Sequence, residues 1–265
     1  VYILTVTQPG THEFEIELFA TGRKNQGFDR NADPDIDLCL VICRVNDPAK
    51  GTGLTCVAFE HSVEYYITLS ASLTPGYYMV FATSIRAISP DSLKTPSQSS
   101  SSGGGGENPG PPNYFTYNLI FHGETSFALN RTRLPPEIVS DIFYSVAVKE
   151  NKVKYEFNGF VRTYVISGSC THAIVVENAS TNFTIKTQLN TTSSKNLEST
   201  RMVSITGDYI PPRSRQLLVF LTPLNYRSGY VIGYKLDTQI YPYYSTGNYP
   251  LIPPAYSGLH ALRNF

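Results

Sequence analysis

Long runs of alanine, leucine, glutamate and lysine are missing from this chain of 265 residues. That argues against a helical protein and leaves an all-β one. No apolar stretch approaches the length of a membrane-spanning helix. Cysteine is scarce: Cys39, Cys43, Cys56 and Cys170 contain no CxxC pair and no zinc spacing. The run Cys39-Leu40-Val41-Ile42-Cys43 reads both of its thiols as small buried hydrophobes, which suits a reducing compartment. Net charge at pH 7 is zero, which argues against a nucleic-acid binder with one basic face. There is no initiating methionine; with Val1 in first place, the chain reads as a fragment or a processed product, so a missing signal peptide says nothing.

What is present is aromatic and β-branched. There are 19 tyrosines and 14 phenylalanines, residues that favour strands. The most informative stretch is LTPGYYMVFATS, residues 73–84. Pro75-Gly76 makes a turn, and a short continuous apolar run follows. A strand of that kind needs cover on both faces, so it belongs in the middle of a sandwich. Charge is spread unevenly: residues 1–125 hold 7 Lys and Arg against 13 Asp and Glu, and residues 126–265 hold 14 against 8. Opposite fields of that kind can hold two domains together, or reflect two solvated surfaces of unequal composition.

Read in order, residues 2–7 form a strand, and Glu13-Phe14-Glu15-Ile16-Glu17-Leu18 alternates as a half-buried one with a wet carboxylate face. Residues 22–37 form a polar loop in which Asp29, Asn31, Asp33, Asp35 and Asp37 take alternate positions. Its D-x-N-x-D opening is that of an EF-hand loop, but Pro34 replaces the turn glycine and Leu40 the bidentate glutamate. Asp29, Asp33, Asp35 and Asp37 are therefore candidate calcium ligands in another geometry, set against a solvated loop. Strands are expected at 38–45, 54–60, 62–70, 77–83 and 114–122. The low-complexity segment 89–113, rich in Ser, Gly and Pro, reads as a disordered insert between two strands of one domain. Residues 135–148 are the one clear helix, with proline in the first turn and Ile138, Ile142 and Val146 on one face. That helix is expected to pack across the join between two domains. Further strands are expected at 161–167, 172–177, 183–189, 201–206, 215–222 and 229–236. THEFEIEL echoes TNFTIKTQL, and GYYMVFAT echoes RQLLVFLT, as two sandwiches of related design would. In the Tyr- and Pro-rich tail, Pro253, Pro254 and Tyr256 fit the PPxY pattern of WW-domain ligands. The alternative is a tail folded back on its own domain.

These stretches resemble the non-catalytic C-terminal half of a calpain of the small optic lobes type. LTVTQPGTHEFEIELF, DLCLVICRV and SLTPGYYMVFATS are similar to the β-sandwich that follows a calpain protease core. VENAS, VSITGDYIPPRSRQLLVFLTPL, GYVIGYKL and the ending SGLHALRNF are similar to the small-optic-lobes homology domain. The resemblance implies a cytoplasmic papain-like cysteine endopeptidase whose catalytic Cys, His and Asn lie upstream. The chain has no tryptophan, whereas a calpain core normally has several. It also implies a regulatory sandwich with possible calcium dependence, although conventional calpains carry a dense acidic run where this chain has scattered aspartates.

The fold expected is mainly β, two antiparallel β-sandwich domains joined by a segment with one short helix. The first, residues 1–125, is calpain-type and C2-like with the insert 89–113. The second, 126–240, is the small-optic-lobes homology domain with the helix, and 241–265 is the tail. Three functions are weighed. One is a regulatory and interaction region partnered by the upstream protease core, with no catalytic residues, no nucleic acid and no transmembrane segment. Another is an enzyme built on Cys170 and His172, which share a strand face without an orienting acid. The last is a secreted adhesive sandwich, prompted by sequons at Asn130, Asn178, Asn182 and Asn190.

Overall fold

The structure, a computed structural model, describes residues 1–23, 38–64, 66–84, 115–133, 138–168, 172–201, 203–224, 228–242, 260 and 262–264. The aspartates Asp29, Asp33, Asp35 and Asp37, the insert 89–113, Cys170 and the PPxY residues Pro253, Pro254 and Tyr256 lie outside the described residues.

The chain is mainly β and builds two stacked sheet pairs. The first sheet contains β1 (Tyr2–Val6), β3 (Leu38–Arg44), β4 (Thr55–Ser62), β6 (Gly76–Thr83) and β8 (Phe127–Arg131) in the order β4-β3-β6-β1-β8. Over it lies a three-stranded sheet of β5 (Tyr66–Leu73), β2 (His12–Arg23) and β7 (Phe115–Gly123). The alternation of β2 works as expected: Phe14, Ile16 and Leu18 are buried between the sheets, while Glu13 and Glu15 are exposed.

After α1 (Ile138–Glu150) comes the second pair. One sheet is β13 (Leu197–Ser199), β15 (Ser214–Pro223), β11 (His172–Asn178), β10 (Val161–Ser167) and β9 (Val153–Glu156), in that order, with β17 (Arg263–Asn264) also on β15. The other is β14 (Ile205–Ile210), β12 (Phe183–Asn190) and β16 (Lys235–Pro242). All described strand pairings between these elements are antiparallel.

The continuous apolar strands are covered on both faces, and the two faces go to different cores. Along β3, Leu38, Leu40 and Ile42 point into the first sandwich, whereas Cys39, Val41 and Cys43 point outward. Along β6, Tyr78 and Val80 point in, and Met79 and Phe81 point out. β11 repeats this: Ile174 and Val176 enter the second sandwich, and Ala173 and Val175 leave it. A register shift between Ile174 and Val175 changes the parity of β15, so both Leu217 and Phe220 face outward. The outward sets meet in one core, with α1 between them. Five layers result, sheet, sheet, helix, sheet, sheet.

The echoed segments take corresponding places. THEFEIEL and TNFTIKTQL lie in β2 and β12, each the centre of an outer three-stranded sheet. GYYMVFAT and RQLLVFLT lie in β6 and β15, and both strands send side chains to the helix.

Several expected elements differ. β8, β9 and β13 were not foreseen; each is short, polar and at or near a sheet edge, where burial imposes no apolar pattern. Residues 201–206 are largely not strand; Arg201 is buried, and β14 begins only at Ile205. Residues 229–236 are mostly loop with an isolated bridge at Val231, and the strand β16 runs through Tyr241 and Pro242. The first sheet takes in residues as far as Arg131, through the pairing of β8 with β1.

Candidate functional site

The site that this architecture creates is the joint around α1 together with the chain end that closes it. Ile138, Ile142 and Val146 are buried as the spacing predicts, but so are Phe143 and Ala147. A helix with sheets on two sides needs apolar groups on two sides. The ring of Phe143 packs edge-on against Phe81 of the first pair at 6.1 Å and against Phe220 of the second at 4.5 Å. Gly51 has φ +64°, and a Cβ there would come within 2.9 Å of the Ile138 side chain. The turn before β4 therefore packs against the first helical turn only as glycine.

Toward the first pair, hydrogen-bond contacts add to the apolar ones of the joint. The Cys43 Sγ lies 3.3 Å from Ser145 Oγ, and Lys149 Nζ donates to the Val57 carbonyl at 2.6 Å. Apolar burial of this kind contributes roughly 25 cal/mol per Å².

One rim of the joint is polar. Asp141 accepts from Arg215 Nη2 at 3.1 Å and from Arg263 Nε and Nη2 at 2.9 and 2.6 Å. The Arg215 guanidinium lies 3.9 Å from the centre of the Tyr144 ring. The Tyr144 hydroxyl donates to Glu177, whose other oxygen accepts from Arg162 at 2.8 Å. Burial first, and then the Glu177 carboxylate, push the Tyr144 phenol well above its ordinary pKa. A cleft of about 340 Å³ opens there, between the turn at residues 51–54, the helix and the end of the chain.

Arg263 belongs to the ending HALRNF. Its neighbour Asn264 pairs with Ser214, by strand register and by a side-chain hydrogen bond of 2.8 Å. His260 is buried, with Nδ1 2.7 Å from the Leu217 carbonyl. Its own carbonyl accepts from Gln216 Nε2 at 2.6 Å. Gln216 also donates to Asp208, which pairs with the fully buried Arg201 at 2.9 Å. Thus Asp208 and Gln216 of the VSITGDYIPPRSRQLL stretch and His260 of the ending meet in one buried network. Burial and the Arg201 charge hold the His260 pKa down at about 3. Burial raises that of Asp208, against the opposing pull of Arg201 and Gln216. Residues 260 and 262–264 do fold back on the chain, the alternative reading of the tail.

The VENAS stretch is a corner. Asn178 ends β11, and its side-chain nitrogen lies 2.8–2.9 Å from the carbonyls of Phe183, Ile210 and Pro211. Its oxygen accepts from Ser180 N, and Ser180 Oγ bonds both N and O of Phe183. This sends the chain from one sheet of the second pair to the other. Asn178 is fully buried, so its sequon offers no glycan acceptor in the folded chain.

His172 is buried, its ring 5.2 Å from Tyr234 and its Nδ1 3.1 Å from Ser167 Oγ. Burial and the Lys152 charge lower its pKa. No carboxylate is among these named contacts, so the arrangement has a base and a hydroxyl without an orienting acid. Sequence reasoning missed the network of Arg201, Asp208, Gln216 and His260, and also the rim centred on Asp141. The available signal was charged or amide residues inside otherwise apolar stretches.

Residues 146–243 match the family model described as Calpain-D-like, C-terminal domain. The match begins in the second half of α1 and ends just past β16, so it takes in nearly the whole second sheet pair. That pair is thus similar to a calpain-type C-terminal domain. No solved structure matches the chain. Among the described residues, no helix is long and apolar enough to cross a membrane.

Proposed function

We propose that this chain is the non-catalytic regulatory and interaction region of a small-optic-lobes-type calpain, a cytoplasmic cysteine endopeptidase. The observation that carries the reading is the match of residues 146–243 to the Calpain-D-like C-terminal domain. In this reading the calpain-type sandwich expected at 1–125, with the insert 89–113, gains β8; the homology domain expected at 126–240 holds the helix and gains the end of β16; and the rest of 241–265 is tail. The shared helix makes the two sandwiches one lever, so force or ligand at one is felt at the other. The partner is a protease core of the same parent chain, upstream of Val1.

Two experiments test this. Sequence upstream of Val1 should encode a Cys/His/Asn protease core; a different upstream domain would remove the reading. Peptidase activity of the parent with and without residues 1–265 should then differ. Two finer assignments follow the same reading. Asp29, Asp33, Asp35 and Asp37 gather calcium, tested by calorimetric titration of the chain and of Asp→Asn variants; no heat in either ends that assignment. Pro253, Pro254 and Tyr256 bind a WW domain, tested by loss of binding on Tyr256→Ala.

The second reading is a secreted adhesive sandwich. Its support is the exposed sequon positions Asn130 and Asn182. Glycan mass on the native protein would favour it over the first.

A further inference from the structure

Cys43 and Cys56 stand directly opposite one another on β3 and β4, with a register shift just before Cys43. Opposed residues of an antiparallel pair have Cα atoms about 4.5–5.5 Å apart. A disulfide spans about 4.4–6.8 Å. Both thiols are free and buried, and each perturbs the ionisation of the other. Each also has a second polar neighbour: Ser145 Oγ of the helix for Cys43 at 3.3 Å, and the Ala58 carbonyl for Cys56 at 3.6 Å. Cys39 shares the outward face of β3 but sits opposite His61, four residues along the strand from Cys43. At roughly 3.3 Å per residue it is out of reach of Cys43.

We propose that Cys43 and Cys56 form an oxidisable dithiol that closes to an intrachain disulfide, and that closure is transmitted to α1 through Ser145. The two thiols are unequal, as an exchange couple needs. The neighbouring Cys56 thiol lowers the Cys43 pKa, and Cys43, with burial, raises that of Cys56. With a small disulfide such as oxidised glutathione the steps balance. One cysteine thiolate attacks a glutathione sulfur, forming a mixed disulfide and releasing a glutathione thiolate. The second cysteine thiolate attacks the first cysteine's sulfur and releases the other. The two thiol protons end on two reduced glutathiones, and the protein has lost two hydrogens.

The geometry gives the closure a consequence. A sulfur bonded across to Cys56 no longer has a thiol proton to share with Ser145, so the link between β3 and the helix is lost. Burial of Cys43 under α1 makes the exchange dependent on opening of the joint. β4 is an edge strand and Cys56 keeps 7 % exposure against 1 % for Cys43, so opening starts there.

The test is to incubate the folded chain with oxidised glutathione, block remaining thiols, and map linkages by mass spectrometry. The expected result is a Cys43–Cys56 linked peptide lacking two hydrogens, reversed by reductant. Hydrogen exchange in residues 142–149 should then rise several-fold in the oxidised form. Cys56→Ser should abolish the two-hydrogen loss. The proposal is overturned if the folded chain stays reduced while a urea-unfolded control oxidises. It is equally overturned if the linkage maps to Cys39 or Cys170, or survives Cys56→Ser. A Cys43–Cys56 linkage without any change in α1 exchange overturns the coupling to the helix.

Discussion

Replacing Phe143 by alanine should weaken both sheet pairs at once. The side chain is fully buried and touches Phe81 on one side and Phe220 on the other. Removing a buried phenylalanine costs about 3–5 kcal/mol. The two edge-on ring contacts, each worth about 0.5–1.5 kcal/mol, place this position toward the upper end. Against a typical total of about 5–15 kcal/mol, the loss is a large fraction. The assay is urea unfolding followed by far-ultraviolet circular dichroism, with hydrogen exchange read segment by segment. Protection should fall together in β3 and β6 of the first pair and in β11 and β15 of the second. A cost below about 1 kcal/mol would refute the shared core. So would protection lost in one pair and unchanged in the other.

Acid should destabilise the chain through His260. Its unfolded value is the ordinary one near 6.5 and its folded value is about 3. The unfolded chain therefore binds the proton first, and stability falls as pH drops through that window, at about 1.4 kcal/mol per unit. Between pH 6.5 and 5 this amounts to roughly 2 kcal/mol, to which the depressed His172 adds. Asp208 has a raised pKa and opposes the trend, because its folded form binds a proton more readily than the unfolded one. Thermal melts against pH should show the slope, and His260→Gln should flatten it. Asp141→Asn should cost more than Arg263→Gln, roughly 2–3 against about 1 kcal/mol, because the first leaves two guanidiniums facing each other; chemical denaturation of both variants decides. Asn178→Ala should cost roughly 2–4 kcal/mol, since the carbonyls converging on its amide, that of Ile210 buried among them, lose that donor; a melt within a degree of wild type would contradict the corner assigned to it.

Much of the strand content was legible because burial writes itself into side-chain alternation. Phe14, Ile16 and Leu18 alternate with glutamates, and the unbroken runs at 38–43 and 77–82 announce cover on both faces. The helix at 138–150 was legible from its spacing, though only one of its two buried faces was. The edge strands β8, β9 and β13 were not, because a strand half in water has no apolar requirement to display. Nor were the four residues of the Arg201–Asp208–Gln216–His260 network visible as a set. They are separated by up to 59 positions, and a polar residue in a strand looks the same whether it faces water or a buried partner.

By itself the amino-acid order determined that this is a β-rich chain with one helix, because local stiffness, turn residues and two-residue periodicity act over a few neighbours. It also determined which strands had to be covered twice. What covers them was decided only when the chain closed: α1 supplies the second face for β3 and β6 and for β11 and β15 together. The end of the chain then locks the rim, because Arg263 reaches Asp141 from 122 positions away. Contacts at that range depend on how far apart the layers settle, and no local pattern encodes that distance.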